Sequence, residues 1–293
     1  MIPRPETLYK VTETGMHHGL KQALLRLALR DPNRLAETAG AILWRVRQAD
    51  GTQAVLKLHK RADRGNEAAG SALLQAWADR GAVRILAKDG PAIVMEWLEG
   101  PSLADVAIND DPKRAVVMLA EVAQRLHEIP ILPTLDLPEL PAVLAPVLDV
   151  HCAQSCPDPL RKSLKEASAL ARHLLNTATD LRPLHGDLHH SNVIVTDAGS
   201  RVLDAKGYHG DIGYELANAF RHPGALPHLL RDPDWIIWCR GIYAKALDVP
   251  EQRLAQWAAV KCALSIVWRA AGPVSDNPEA DLLSGLLASA REV

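Results

Sequence analysis

The run Leu184-His185-Gly186-Asp187-Leu188-His189-His190-Ser191-Asn192-Val193, with Asp204 twelve positions after Asn192, constrains this chain more than any other stretch. An acid, an amide five residues on and a second acid beyond a short β-type segment are the oxygen groups that phosphoryl transfer requires. One carboxylate takes the proton of an attacking hydroxyl, while the amide and the other carboxylate hold Mg²⁺. Asp187 fits the base, and Asn192 and Asp204 fit the metal ligands. Val193-Ile194-Val195 is apolar and β-branched, Thr196 to Ser200 is turn chemistry, and Arg201-Val202-Leu203 reads as a second short strand. A hairpin there folds Asp204 back beside Asn192, so that one hard, oxygen-preferring cation takes ligands from both. Gly186 beside Asp187 allows the backbone a tight turn.

The three histidines of this run invite a zinc reading, since imidazoles four apart share a metal on a helix. Here they flank a strand start, and no nearby Cys or third carboxylate completes a tetrahedral set. His185 is expected to brace the loop, and His189 and His190 to shape it. Cys152 and Cys156, next to His151, lack the C-x-x-C spacing and read as packing.

At 293 residues and 48% hydrophobic, the chain is long enough for two lobes. A net charge of -2 leaves no basic footprint for nucleic acid, so none is expected as a partner. Four cysteines are too sparse for a disulfide framework. Met1 to Glu6 carries no apolar signal core, and no apolar run reaches the ~18 residues of a membrane span. The expectation is a cytoplasmic protein with no membrane partner, acting on a small molecule, of unspecified oligomeric state.

Along the chain, a helical period from Leu20 to Leu29 stops near Asp31-Pro32. Ala41 to Arg47 and Ala54 to His59 flank Asp50-Gly51 as a hairpin, a helix is expected from about Asn66 to Asp79, and two further strands near Val83 to Lys88 and Ala92 to Trp97. From Pro101 the pattern turns helical. Ala115, Met118, Leu119, Val122 and Leu126 mark one amphipathic face. Pro130 to Pro146 carries five prolines and is no single regular element. Helices are then expected over about Pro159 to Thr179, Gly213 to Arg221, Pro233 to Ala246 and Pro250 to Ala271. The result is an α+β, bilobal, protein-kinase-like fold: a small β-sheet N-lobe with one helix over residues 1–99, holding the nucleotide, and a larger, mostly helical C-lobe over 100–293, carrying catalysis and substrate.

Lys57, in Ala54-Val55-Leu56-Lys57, is a charge among apolar strand residues and is awkward unless it meets phosphate or carboxylate. It is read as the lysine that steadies the α- and β-phosphates of ATP, with Glu67 on the following helix as candidate partner. The other reading of Lys57 is an edge-strand lysine reaching solvent. Val94 to Gly100 resembles a kinase hinge, where backbone groups at Glu96 and Leu98 meet adenine. No P-loop and no G-x-G-x-x-G loop occurs.

His185, Gly186, Asp187 and Asn192 meet the H-G-D-x-x-x-x-N signature of the aminoglycoside phosphotransferase family, which the chain resembles over nearly its whole length. The likeness includes Lys57, the hinge, Leu126-His127-Glu128-Ile129-Pro130 and the segment after Asp204. More narrowly, Gly81 to Leu86, Asp204-Ala205-Lys206-Gly207 and Gly210 to Asn218 are similar to the streptomycin 6-phosphotransferase and hydroxyurea phosphotransferase branch. The resemblance implies ATP- and Mg²⁺-dependent phosphorylation of a small-molecule hydroxyl, foremost on an aminoglycoside such as streptomycin. Hydroxyurea or an unidentified metabolite is the alternative acceptor, and a non-catalytic nucleotide-binding regulator the alternative function. Ser191 stands where the family often has glycine. Lys206 is a candidate phosphate or substrate contact. Asp211 and Glu215 are expected to anchor the following helix to the catalytic loop, with binding of a cationic substrate as a second reading. Trp235, Trp238, Trp257 and Trp268 are core or sugar-stacking candidates, and Asp232, Asp234, Asp276, Glu279 and Asp281 candidate acids of a substrate pocket.

Overall fold

The structure, a computed structural model, describes residues 13–128 and 135–291; the expectations resting on Met1 to Glu6, Ile129, Pro130 and Pro133 lie outside them. The chain divides into two compact units, one of Met1–Asn66 with Arg84–Trp97 and the other of Glu67–Val83 with Leu98–Val293.

The first unit holds α1 (Glu13–Arg26) and five strands, β1 (Arg30–Glu37), β2 (Ala41–Arg47), β3 (Gln53–His59), β4 (Ile85–Asp89) and β5 (Ala92–Glu96). They form one antiparallel sheet in the order β1-β2-β3-β5-β4. Leu20, Ala23 and Leu24 recur at helical spacing on α1 and, with Leu27 in the turn just after it, pack with Val46, Ala54, Leu56 and Val94 into the unit's core. Because side chains alternate along a strand, Leu56 and Lys57 point to opposite faces. Lys57 lies in β3, between β2 and β5, where it is paired with Leu43 and Ile93 and buried. It is therefore not an edge-strand lysine.

The second unit contains α2 (Gly70–Ala76), α3 (Leu103–Asn109), α4 (Pro112–His127), α5 (Leu140–Leu148), α6 (Asp158–Asn176), α7 (Pro227–Arg231), α8 (Pro233–Leu247), α9 (Glu251–Ala270) and α10 (Ala280–Arg291). Two short antiparallel pairs interrupt the helices: β6 (Leu181–Leu184) with β9 (Tyr208–Asp211), and β7 (Val193–Thr196) with β8 (Gly199–Val202). Local chemistry sets the helix starts. Ser102 and Asp105 form a reciprocal capping box on α3, and Asp111 accepts from the backbone of Lys113 and Arg114 ahead of Pro112 at the start of α4. The centre of the unit is α9, buried from Leu254 to Leu264 except at half-buried Gln256, with Lys261 the one charged side chain in that stretch. Among the described residues no helix is long and apolar enough to cross a membrane.

Several expected elements differ. The helix expected over 66–79 is a 3-10 turn (Gly65–Glu67), then α2, then a second 3-10 turn (Ala78–Arg80). It breaks where Trp77 leaves helical geometry to bury its indole. The helix expected over 213–221 is instead two 3-10 turns, Ile212–Tyr214 and Ala217–Arg221, because Asp211 and Glu215 turn their carboxylates onto nearby backbone rather than solvent. β1 was not expected, since Pro32 and its charges mask it. It is an exposed edge strand with register shifts, where a proline is tolerated. Within the proline-rich stretch, α5 forms with Pro141 in its first turn and Pro146 inside it.

Candidate active site

The H-G-D run lies between β6 and the β7–β8 hairpin. Gly186 has φ +77°, and a Cβ there would come within 2.5 Å of the Tyr208 ring. Only glycine suits both the angle and the space. His185 then ties two loops together. Its Nε2 lies 2.9 Å from the Leu203 carbonyl and must donate to it, so Nδ1 is the acceptor that meets the Asp187 N–H at 3.3 Å. Its own carbonyl accepts from Lys206 and Gly207. Burial, opposed by Glu215 and Asp187, lowers the His185 pKa and keeps the ring neutral, as those bonds require.

The hairpin forms with Val193 opposite Val202, and Leu203 N–H donates to the Asn192 carbonyl at 3.0 Å. This bond and the His185–Leu203 bond bring Asp204 back to Asn192. Asp204 sits at φ +62°, a left-handed conformation that Asp adopts more readily than most residues. The Asn192 amide nitrogen donates to the Asp187 carbonyl at 2.9 Å, which leaves Oδ1 as the outward oxygen. An amide oxygen and a carboxylate joined through one hairpin fit Mg²⁺, which takes one or two protein oxygens and completes its shell with water and phosphate. Among the described residues no group of three or more His, Cys, Asp or Glu is placed to hold a metal.

Asp187 is held by residues that the motif does not contain. Asn218 Nδ2 donates to its Oδ1 at 2.8 Å, Arg221 donates to the Asn218 carbonyl oxygen at 2.7 Å, and Glu279 grips Arg221 with both oxygens at 2.9 Å. Lys261 Nζ stands 3.7 Å from the same Oδ1. These contacts fall on Oδ1 rather than Oδ2. Burial works against the carboxylate charge, but Lys261, with smaller help from His189 and Lys206, outweighs it and holds the Asp187 pKa at about 2.

The other expected site residues are distributed as follows. Glu67 accepts from Lys206 at 2.7 Å, both side chains being largely shielded. A Cβ on Gly70 would lie 1.7 Å from the Ala205 carbonyl, so the backbone around Lys206 runs directly against the start of α2. Asp211 caps the following 3-10 turn through Gly213 N–H at 2.8 Å and pairs with Arg253. Glu215 is fully enclosed and accepts from the His185 and Gly186 N–H groups and from His127. Both acids thus bind the protein's own backbone and basic side chains. Lys57 and Glu96 lie in the first unit; Glu96 donates its N–H to the Arg84 carbonyl and accepts from Arg84 through its side chain. Leu98 lies two residues past the end of β5 and belongs to the second unit. His189 stacks on His222 with ring centroids 3.7 Å apart. Of the tryptophans, Trp257 is core, Trp235 and Trp238 pair with each other, and Trp268 is 43% exposed. Glu279 and Asp281 are taken by Arg221, Arg269 and Arg231, and Asp232 caps α8.

Asn218, Arg221 and Lys261 are functional candidates that the motif spacing does not single out. Lys261 had a signal: it is the lone charge between Trp257 and Trp268, an apolar helical stretch otherwise broken only by Ser265.

Residues 26–272 match the model of the aminoglycoside/hydroxyurea antibiotic resistance kinase family. The chain belongs to this family. It is a phosphotransferase, an ATP- and Mg²⁺-dependent enzyme that phosphorylates a small-molecule hydroxyl, and membership implies nucleotide binding. It is 34% identical to streptomycin 3''-kinase of Klebsiella pneumoniae over 245 residues, 82% of this chain and 88% of that one. With streptomycin 6-kinase of Streptomyces griseus the identity is 29%, over 76% of this chain and 73% of the relative. The choline kinase LicA of Streptococcus pneumoniae matches with TM-score 0.65 at 14% identity, over 95% of this chain and 99% of LicA. That likeness confirms the two-lobed kinase-like fold, a small sheet lobe and a larger helical one.

Proposed function

We propose that this enzyme transfers the γ-phosphoryl group of ATP to a hydroxyl of an aminoglycoside such as streptomycin. The observation that carries the chemistry is the Asp187 carboxylate, fixed through Oδ1 by Asn218 with Oδ2 left for the acceptor. Streptomycin is favoured as acceptor by the 34% identity to a streptomycin kinase across most of both chains.

In this reading Asp187 Oδ2 receives the acceptor O–H, orients its oxygen towards the γ-phosphorus and takes the proton as the new P–O bond forms. Asn192 Oδ1 and Asp204 would hold Mg²⁺, which would supply positive charge against the negative charge developing on ADP. Lys57 steadies the α- and β-phosphates, and the backbone at Glu96 and Leu98 meets the adenine edge. Glu67 and Lys206 act as an ion pair two residues beyond the metal acid. Asp211 and Glu215 hold the loop rather than the substrate. Retention of Asp187, Asn192 and Asp204 together argues against a regulator without turnover.

The test is ADP release and product mass with purified protein and Mg·ATP, across streptomycin, other aminoglycosides, hydroxyurea, simple sugars and amino alcohols. Streptomycin-dependent turnover giving a phosphorylated drug is expected. Turnover only with hydroxyurea or an amino alcohol would move the acceptor assignment and leave the reaction class in place.

A further inference from the structure

Lys261 is a buried cation that the motif does not include. It projects from α9, its side chain is 5% exposed, and its only ion contact among the described residues is Asp187 Oδ1 at 3.7 Å. That separation is longer than a hydrogen bond, so the ammonium keeps its three N–H donors for something else. Tyr214 and Trp268 present their rings to it, with centroids 5.8 and 5.3 Å away. Rings stabilise the charge without consuming the donors.

A buried ammonium with spare donors is costly unless an anion completes it. The protein has arranged that cost beside the carboxylate read as the base. Asp187 itself does not need Lys261 as a hydrogen-bond partner, because Asn218 already donates to the same oxygen. A hydroxyl held at Oδ2 would attack phosphorus beside this carboxylate, and three phosphoryl oxygens carry negative charge in the transition state.

We propose that Lys261 is a further catalytic residue, donating to an oxygen of the phosphoryl group as it passes to the hydroxyl held by Asp187. This rests on the reading of Asp187 as the base. In the step, the acceptor oxygen bonds to the γ-phosphorus, and the bond from that phosphorus to the β-γ bridging oxygen breaks with its electrons leaving on ADP. The acceptor proton goes to Asp187, while Lys261 stays protonated throughout and contributes charge and direction only.

The experiment compares Lys261→Met, Lys261→Arg and Asp187→Asn with wild type in Mg·ATP turnover, using streptomycin and, in parallel, water as acceptor. Lys261→Met is expected to lower kcat about 10²-fold, the range for losing one preorganised donor, with KM for ATP changed less than about threefold. Lys261→Arg, which keeps charge and donors, should restore at least a tenth of the wild-type kcat. Circular dichroism and thermal melting establish that each variant is folded, since a lost fold removes KM and kcat together. Inactive Asp187→Asn beside Lys261→Met at wild-type kcat would overturn this proposal alone. Wild-type ADP release no faster than that of Asp187→Asn with water and with every acceptor of the panel above would overturn the phosphotransfer reading, and this proposal with it.

Discussion

Asn218 donates to Asp187 Oδ1 at 2.8 Å with its amide orientation fixed by Arg221, whose guanidinium takes the other end of that amide at 2.7 Å. The chain of contacts continues to Glu279, which also binds Arg269. The proposed base is thus aimed by a side chain some thirty residues away, itself oriented by an ion pair anchored just before α10. Asn218→Leu should lower kcat about 10- to 10²-fold, the value of a hydrogen bond to a charged group, with little change in KM for ATP. Arg221→Leu should produce a smaller loss of the same kind. Steady-state kinetics of the two variants check this.

Asn218→Asp has a distinct signature. Asp187 in the wild type is ionised above about pH 4, because Lys261 and its neighbours outweigh burial and hold its pKa at about 2. No acid limb from this group should therefore appear in the working range. A second carboxylate at 2.8 Å raises the pKa of the pair. The variant should show a turnover rate that climbs with pH where wild type is flat.

The β7–β8 hairpin, the H-G-D loop and the helical second part were legible because each has a local signature: β-branched runs around turn residues, a glycine with no alternative, and apolar residues at helical spacing. Leucines on one side of β3 and Lys57 on the other follow from simple alternation. What escaped has non-local causes. β1 carries Pro32 and is exposed along its whole length, so its sheet membership depends on β2 and leaves no hydrophobic alternation. Residues 212–221 have helix-forming composition, yet Asp211 and Glu215 are claimed by backbone groups brought near by the fold, which tightens the segment into 3-10 turns. Asn218 and Arg221 could be quoted from the sequence, but their roles depend on where Glu279 lands.

Glu215 is the anchor of the catalytic loop. Burial opposes its charge, but bonds from His127 and the His185 backbone lower its pKa below the ordinary 4.5. Its contribution to stability is therefore complete above about pH 4.5 and lost as pH falls through the lower folded value. Glu215→Ala leaves buried N–H groups unpaired and should cost about 3 kcal/mol in denaturant unfolding. It should also erode kcat, because the loop loses its support.

Gly70→Ala places a Cβ 1.7 Å from the Ala205 carbonyl, and a backbone atom cannot rotate aside. The expected loss is about 3 kcal/mol or more, the upper part of the overpacking range, read as a lowered Tm. Metal-dependent activity should fall with it, since Ala205 adjoins Asp204.

Lys261 gives stability and activity opposite signs. Burial lowers its pKa to about 8, opposed by Asp187 and assisted by Arg221 and Lys206, against an ordinary 10.5. A folded pKa below the unfolded one means that the ammonium costs stability below pH 8, and that the cost fades as pH rises from 8 to 10.5. The difference corresponds to about 3 kcal/mol at neutral pH. Lys261→Met should therefore melt several degrees higher than wild type at pH 7 while turning over more slowly. The groups facing Lys261 are Asp187, Arg221, Lys206 and the rings of Tyr214 and Trp268. Wild-type kcat should fall as pH rises through about 8, and in Lys261→Arg that limb should leave the accessible range.

The central claim is that Asp187 is the acceptor-side base of a Mg·ATP phosphotransferase. Its most direct test is streptomycin-dependent ADP release by wild type and Asp187→Asn at saturating Mg·ATP, with ATP binding measured on both. In Asp187→Asn kcat is expected to fall at least ~10²-fold while ATP affinity is kept. An Asp187→Asn enzyme that turns over at the wild-type rate would contradict it.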